Sequence, residues 1–182
     1  LYMMAAYFSQ GYGVQPINKQ KAIAYFKKSH EAGYPVAGYD VAASLPDGSP
    51  EQKEIRNHTK DNILKLANKG DACAQNNLGL MYEKGHGVEQ SYEKAVEWYL
   101  KAAEQGFARA QNNLGVMYNN GTGVEQSYEK AVEWYLKAAE QGFANAQFKL
   151  GGMYYNGHGV EQSYEKAVEW YLKAAEQGYA YA

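Results

Sequence analysis

Beyond residue 70 the apolar positions of this chain fall three and four apart, and the pattern returns as identical text. The nineteen residues from Val88 to Gly106, Val-Glu-Gln-Ser-Tyr-Glu-Lys-Ala-Val-Glu-Trp-Tyr-Leu-Lys-Ala-Ala-Glu-Gln-Gly, recur unchanged from Val124 to Gly142 and from Val160 to Gly178. At about 100° per residue they set Ala95, Val96, Trp98, Tyr99, Leu100, Ala102 and Ala103 on one broad arc. Glu93, Lys94, Glu97, Lys101, Glu104 and Gln105 fall on the other. This is an amphipathic helix whose apolar face is wide enough for two neighbours. Ser91 is its predicted N-cap and Gly106 its stop, while Glu97 and Lys101 have the i, i+4 spacing of a surface ion pair. Ala72 to about Lys84 predicts a preceding helix, broken by Gly85-His86-Gly87. Gly79, Gly115 and Gly151 lie inside that first helix at a cost of about 1 kcal/mol each relative to alanine. Close approach of a neighbouring helix backbone is the predicted compensation.

Gly70, Gly106, Gly142 and Gly178 mark a period of 36 residues, which belongs to stacked helical hairpins and not to an enzyme built around one core. Regular units cover 70–105, 106–141 and 142–177, and 178–182 opens another. Segments 1–33 and 34–69 are degenerate versions, the second with Pro46-Asp47-Gly48-Ser49-Pro50 in place of the double-glycine loop and a longer, more polar helix from Glu51 to Lys69. The chain 1–182 is thus expected to be a single array. It starts inside one predicted helix and stops at the start of another, as expected of a portion of a longer protein or of one that associates end to end.

Composition narrows the partners. With 18 basic and 20 acidic side chains interspersed and a net charge of −2, the chain has no electrostatic footprint for nucleic acid or an anionic membrane. No apolar stretch approaches the roughly 20 residues of a membrane span, so membrane insertion is not expected. The single cysteine, Cys73, excludes an internal disulfide framework and leaves the compartment open between periplasmic or secreted and cytoplasmic.

The pattern Ala-Gln-x-x-Leu-Gly-x-Met-Tyr, then Gly-x-Gly-Val, then Tyr-Glu-Lys-Ala-Val-Glu-Trp-Tyr-x-Lys-Ala-Ala-Glu-Gln-Gly resembles the Sel-one-like repeat (SLR), a relative of the tetratricopeptide repeat. The match is close over Gly70 to Gly178 and loose over 1–69. The resemblance implies an all-α fold, an α/α superhelix in which antiparallel hairpins stack as a right-handed solenoid. It implies a scaffold or adaptor that holds a partner protein, without a cofactor, in secretion-linked or host-contact roles. In some bacterial lineages such proteins neutralise a secreted phospholipase effector as its immunity partner. A cysteine-rich branch linked to penicillin binding carries one disulfide per hairpin, and the cysteine pairs of that branch are absent here.

Units within one chain can be compared directly. Their second helices are identical, and the differences in the first helix fall at 73, 76, 77, 80, 83 and 84 and the matching later positions, a stripe about 120° wide. In stacked hairpins the first helices line the concave surface, so the stripe would be a groove whose chemistry changes from unit to unit. The alternative is drift wherever packing raised no objection. As a groove for a protein or peptide it would carry Asn76, Asn77, Glu83 and Lys84, then Arg109, Asn112, Asn113, Asn119 and Asn120, then Phe148, Lys149 and Tyr155, with Tyr39 from the degenerate part. Asparagine amides suit an extended peptide backbone, and Phe and Tyr serve as anchors.

Other chemistry is weaker. Ser91-Tyr92-Glu93-Lys94 has the Ser-x-x-Lys spacing of serine penicillin-recognising enzymes and recurs at Ser127 and Ser163, which leaves a weak hydrolase as the competing class. Three copies at predicted helix caps, without a Lys-Thr-Gly, argue for capping instead. His30, His58, His86 and His158 show no metal-ligand spacing. Cys73 lies near a helix N-terminus, a place that lowers a thiol pKa. Trp98, Trp134 and Trp170, at identical positions on the apolar arc, are expected in the core and not on a stacking platform.

Overall fold

A computed structural model of the chain describes residues 49–178. The chain divides into two compact units, Leu1–Lys69 and Gly70–Ala182. Tyr39, the degenerate unit read at 1–33, the part of the unit 34–69 that precedes residue 49, and the helix start at 179–182 lie outside the described residues. In the first unit these comprise Ser49 and α1 (Pro50–Asn68) with its cap, Lys69. Ser49 starts the helix by accepting the Gln52 amide at 3.2 Å, and Pro50 occupies the first turn, where a missing N–H is harmless.

The described part of the second unit is six helices in three hairpins. These are α2 (Ala72–Lys84) with α3 (Tyr92–Glu104), α4 (Ala108–Asn120) with α5 (Tyr128–Glu140), and α6 (Ala144–Asn156) with α7 (Tyr164–Glu176). No strand occurs among the described residues. Each first helix ends on a left-handed glycine, Gly85 at φ 69°, which lets the chain reverse within a few residues. The Ser91 amide then donates to the Tyr82 carbonyl at 3.0 Å, and the Ser91 hydroxyl caps α3 by accepting from the Lys94 amide at 3.3 Å.

The glycines inside the first helices have a side-chain cause. A Cβ on Gly79 would lie 2.6 Å from the Tyr99 ring and 3.1 Å from the Ala95 carbonyl oxygen, and one on Gly115 would lie 2.5 Å from the Tyr135 ring. The close neighbour is therefore chiefly a tyrosine ring, with the α3 backbone second, where sequence predicted backbone alone. Both tyrosines are almost fully buried, and so are Leu78, Leu114 and Leu150.

Successive hairpins share their cores. Tyr99, Ala102 and Ala103 of α3 cluster with Ala110, Leu114 and Met117 of α4, and the same set recurs one hairpin later. Buried Gln111 ties the join together: it donates to the Ala103 carbonyl at 3.2 Å and accepts from Gln141 at 2.7 Å. Gln147 repeats this with Ala139 and Gln177. The second loop glycine fits where no side chain could, since a Cβ on Gly123 would lie 2.5 Å from the Tyr92 carbonyl group.

Two sequence expectations change here. Trp98, Trp134 and Trp170 are only half-buried, and each ring has a lysine over its face: Lys101 Nζ stands 4.0 Å from the Trp98 centroid. That contact also removes the expected Glu97–Lys101 ion pair, since the ring attracts the ammonium without the cost of ordering two long side chains.

Candidate functional site

The variable positions of α2, α4 and α6 follow one row of each helix, and the structure sorts them into two kinds. Exposed members are Cys73, Leu80, Lys84, Arg109, Asn120, Lys149, Tyr155 and Asn156, with Asn113, Val116, Asn119, Glu83 and Phe148 half-buried. Asn76, Asn77 and Asn112 are buried, at 2%, 8% and 7% exposure. A uniformly solvent-facing stripe is therefore not what forms. The inner edge of the row lies where successive first helices meet, so its asparagines contact the protein itself.

Bonding confirms that division. Asn113 of α4 donates to Asn76 Oδ1 of α2 at 3.0 Å, and Asn77 donates to Cys73 Sγ at 3.6 Å. Glu83 is also committed: its carboxylate accepts the Tyr99 hydroxyl at 2.7 Å and pairs with Lys84 at 2.6 Å. Burial, then the Glu83 bond, pushes the Tyr99 phenol far above its ordinary range, and burial does the same to Tyr135. Asn119, the α4 counterpart of Glu83, bonds its neighbour Asn120 at 2.8 Å instead.

The stripe is cationic past its first helix. Neither α4 nor α6 contains an acidic residue, and Arg109 and Lys149 carry no ion pair among the described residues. In α6 rings replace amides. Phe148 tilts against Tyr171 with centroids 5.4 Å apart, and Tyr155 meets Tyr164 edge-on at 5.3 Å. Tyr164 and Tyr171 belong to the invariant second helix, and sequence comparison between units could not single them out.

The other candidate chemistry is taken up locally. Ser91 Oγ accepts from the Lys94 backbone and donates to Glu93 at 3.1 Å, while Lys94 Nζ stands 5.5 Å from the centre of the Tyr82 ring. The Ser-x-x-Lys spacing thus serves a helix cap. The Cys73 thiol moves opposite to the helix-terminus expectation. Partial burial and then Asp71 push it up, against the Asn77 amide and Arg109. His158 stacks on Tyr128 of the preceding hairpin, centroids 4.7 Å apart. Among the described residues no cluster could hold a metal ion, and no helix is long and apolar enough to cross a membrane.

Comparison with known proteins places this architecture. The Sel1 repeat family model matches residues 1–34, 74–107, 108–143 and 144–179. A protective antigen of uropathogenic Escherichia coli strains, c5321, which displays an SLR fold, is 39% identical with a TM-score of 0.70, over 90% of this chain and 34% of that one. The present chain therefore spans about a third of that protein's length. A Sel1 repeat protein from Oxalobacter formigenes is 42% identical with a TM-score of 0.61, over 64% of this chain and 88% of that one. Immunity protein PA5088 from Pseudomonas aeruginosa is 22% identical with a TM-score of 0.60, over 96% of this chain and 66% of that one, a likeness of fold alone. No curated protein matches the chain.

Proposed function

This chain belongs to the Sel1 repeat family of protein-interaction scaffolds, and from that premise we propose that it is a non-catalytic scaffold holding a partner protein on the outer edge of the first-helix stripe. The observation that carries the proposal is the contrast within each hairpin. In the identical second helices Ser91 caps, Tyr99 packs in the core and Lys101 stands over Trp98, whereas exposed Arg109, Asn120, Lys149 and Tyr155 lie on first helices at positions that differ between units. Proteins that share a scaffold and differ at exposed positions of one face differ in what that face recognises.

The test is an affinity capture from the native cell with the full chain and with a variant carrying Arg109→Gln, Asn120→Ala, Lys149→Gln and Tyr155→Ala. The proposal requires a protein that the unaltered chain recovers and the variant, melting at the same temperature, does not. Equal recovery by both would move the interface to the second helices.

A narrower reading makes the partner a bacterial effector enzyme, of the phospholipase kind, that the chain neutralises. The shared fold of immunity protein PA5088 favours it. Co-expression that protects cells from an effector supplied with the chain supports this reading, and unprotected cells count against it.

A further inference from the structure

Two of the first helices end in Asn-Gly, at Asn120-Gly121 and Asn156-Gly157, where the first hairpin has Lys84-Gly85. Such a pair carries a reaction within itself, because no side chain on the glycine keeps its amide nitrogen from the asparagine side-chain carbonyl carbon. How readily the two groups meet depends on how the asparagine amide is held. The two copies hold it differently.

In the middle hairpin Asn119 Nδ2 donates to Asn120 Oδ1 at 2.8 Å. The donor residue is itself fixed, since the loop residue Gln126 donates to the Asn119 carbonyl at 2.7 Å. A donor on the Asn120 oxygen draws electrons from the amide carbon and stabilises the negative oxygen that forms when a nucleophile adds. Asn120 is exposed, so ammonia can leave and water can enter. Gly121 follows as the left-handed cap, at φ 65° with its N–H on the Met117 carbonyl. That bond is the last of the helix, and helix ends open at small cost in free energy.

In α6 the amide is turned the other way. Asn156 Nδ2 donates to the Gly152 carbonyl at 2.9 Å, which draws the side chain back along the helix and away from the Gly157 nitrogen. The position that supplies the donor in α4 holds Tyr155, whose ring packs edge-on against Tyr164. Gly157 repeats the cap of Gly121, at φ 68° with its N–H on the Met153 carbonyl. The two sites thus share a backbone and differ in their side chains.

We propose that Asn120 is a self-modification site that converts to aspartate and isoaspartate, with Asn119 as its positioning residue. The Gly121 nitrogen bonds to Asn120 Cγ as it gives up its proton, the Cγ–Nδ2 bond breaks, and ammonia leaves with that proton. Water then opens the cyclic imide at either carbonyl, and no oxidant or reductant takes part. Either product places a carboxylate on α4, which otherwise has none, at the helix end where the macrodipole disfavours it. Isoaspartate also adds a backbone carbon just ahead of the Gly121 turn. The reaction changes the charge of the stripe at one hairpin, whatever the stripe binds.

Incubation of the full chain at mildly alkaline pH, followed by mass spectrometry of its peptides, tests it. Asn120 should convert at least about threefold faster than Asn156, and faster as pH rises, because the attacking nitrogen must lose its proton. Asn119→Ala removes the donor and should slow Asn120 at least about threefold without slowing Asn156. Asn119→Asp offers only an acceptor and should slow Asn120 as well, with circular dichroism melting showing both variants folded. In urea, where the Asn119 contact is lost, the rates at the two sites should converge. Asn120 left intact, equal rates at the two sites of the folded chain, a difference that persists in urea, or an unchanged rate at Asn120 in the Asn119 variants overturns the proposal.

Discussion

Asn113 of α4 bonds Asn76 of α2 at 3.0 Å, and the next step of the array lacks the same bond. There the donor position holds exposed Lys149, and the acceptor, Asn112 Oδ1, is buried without a hydrogen-bond partner. A buried amide oxygen left without a donor costs about 1–3 kcal/mol. The stripe has thus given up a structural bond at the position where it presents a cation.

Lys149→Asn should restore the bond. Urea denaturation is expected to show stability higher by about 1 kcal/mol at an unchanged m-value. A variant less stable than the parent would mean that the amide cannot reach Asn112.

Gly115→Ala should destabilise the fold although alanine is the better helix former. Its Cβ would stand 2.5 Å from the Tyr135 ring, which is 2% exposed and has little room to withdraw. Overpacking of this kind costs about 1–3 kcal/mol, and shortening the ring partner with Tyr135→Leu in the same chain should recover part of it. Thermal melting of the two variants against the parent decides.

Gln111→Ala removes the donor to the Ala103 carbonyl and the acceptor of Gln141 together. Two bonds at a buried join are worth roughly 2 kcal/mol. The loss should be cooperative, with one unfolding transition shifting downward. Two separated transitions would show that adjoining hairpins unfold independently.

Alkali should unfold the chain through Tyr99 and Tyr135. Burial raises both phenols above the ordinary tyrosine value of 10.0. A raised folded-state pKa contributes stability that is fully present below the unfolded value and is lost as pH rises above it. Ultraviolet absorbance of phenolate should therefore show these two tyrosines ionising only together with loss of helix. Ionisation of Tyr99 and Tyr135 with the helices intact would contradict their burial.

Much of the fold was legible because its signals are local. Ser91 and Gly106 mark the ends of α3 by the backbone geometry they favour, and the pattern between them states which face is buried. The Gly79–Tyr99 contact was less legible, since a glycine records only that something is near. Its signal lay in the constant spacing to Tyr99, Tyr135 and Tyr171 in all three hairpins. The stripe itself came from variation, and variation does not report burial: Asn112 and Asn120 look alike in sequence, yet one is buried between helices and the other faces water.

The central claim is that the first-helix stripe, and not the second-helix face, holds the partner. Titration calorimetry of the captured protein against two matched variants tests it most directly: Arg109→Gln with Lys149→Gln and Tyr155→Ala on the stripe, and Glu97→Gln with Glu133→Gln and Glu169→Gln on the second helices. The account predicts a loss of affinity of at least about a hundredfold for the first and less than about twofold for the second. A large loss confined to the second-helix variant would contradict it.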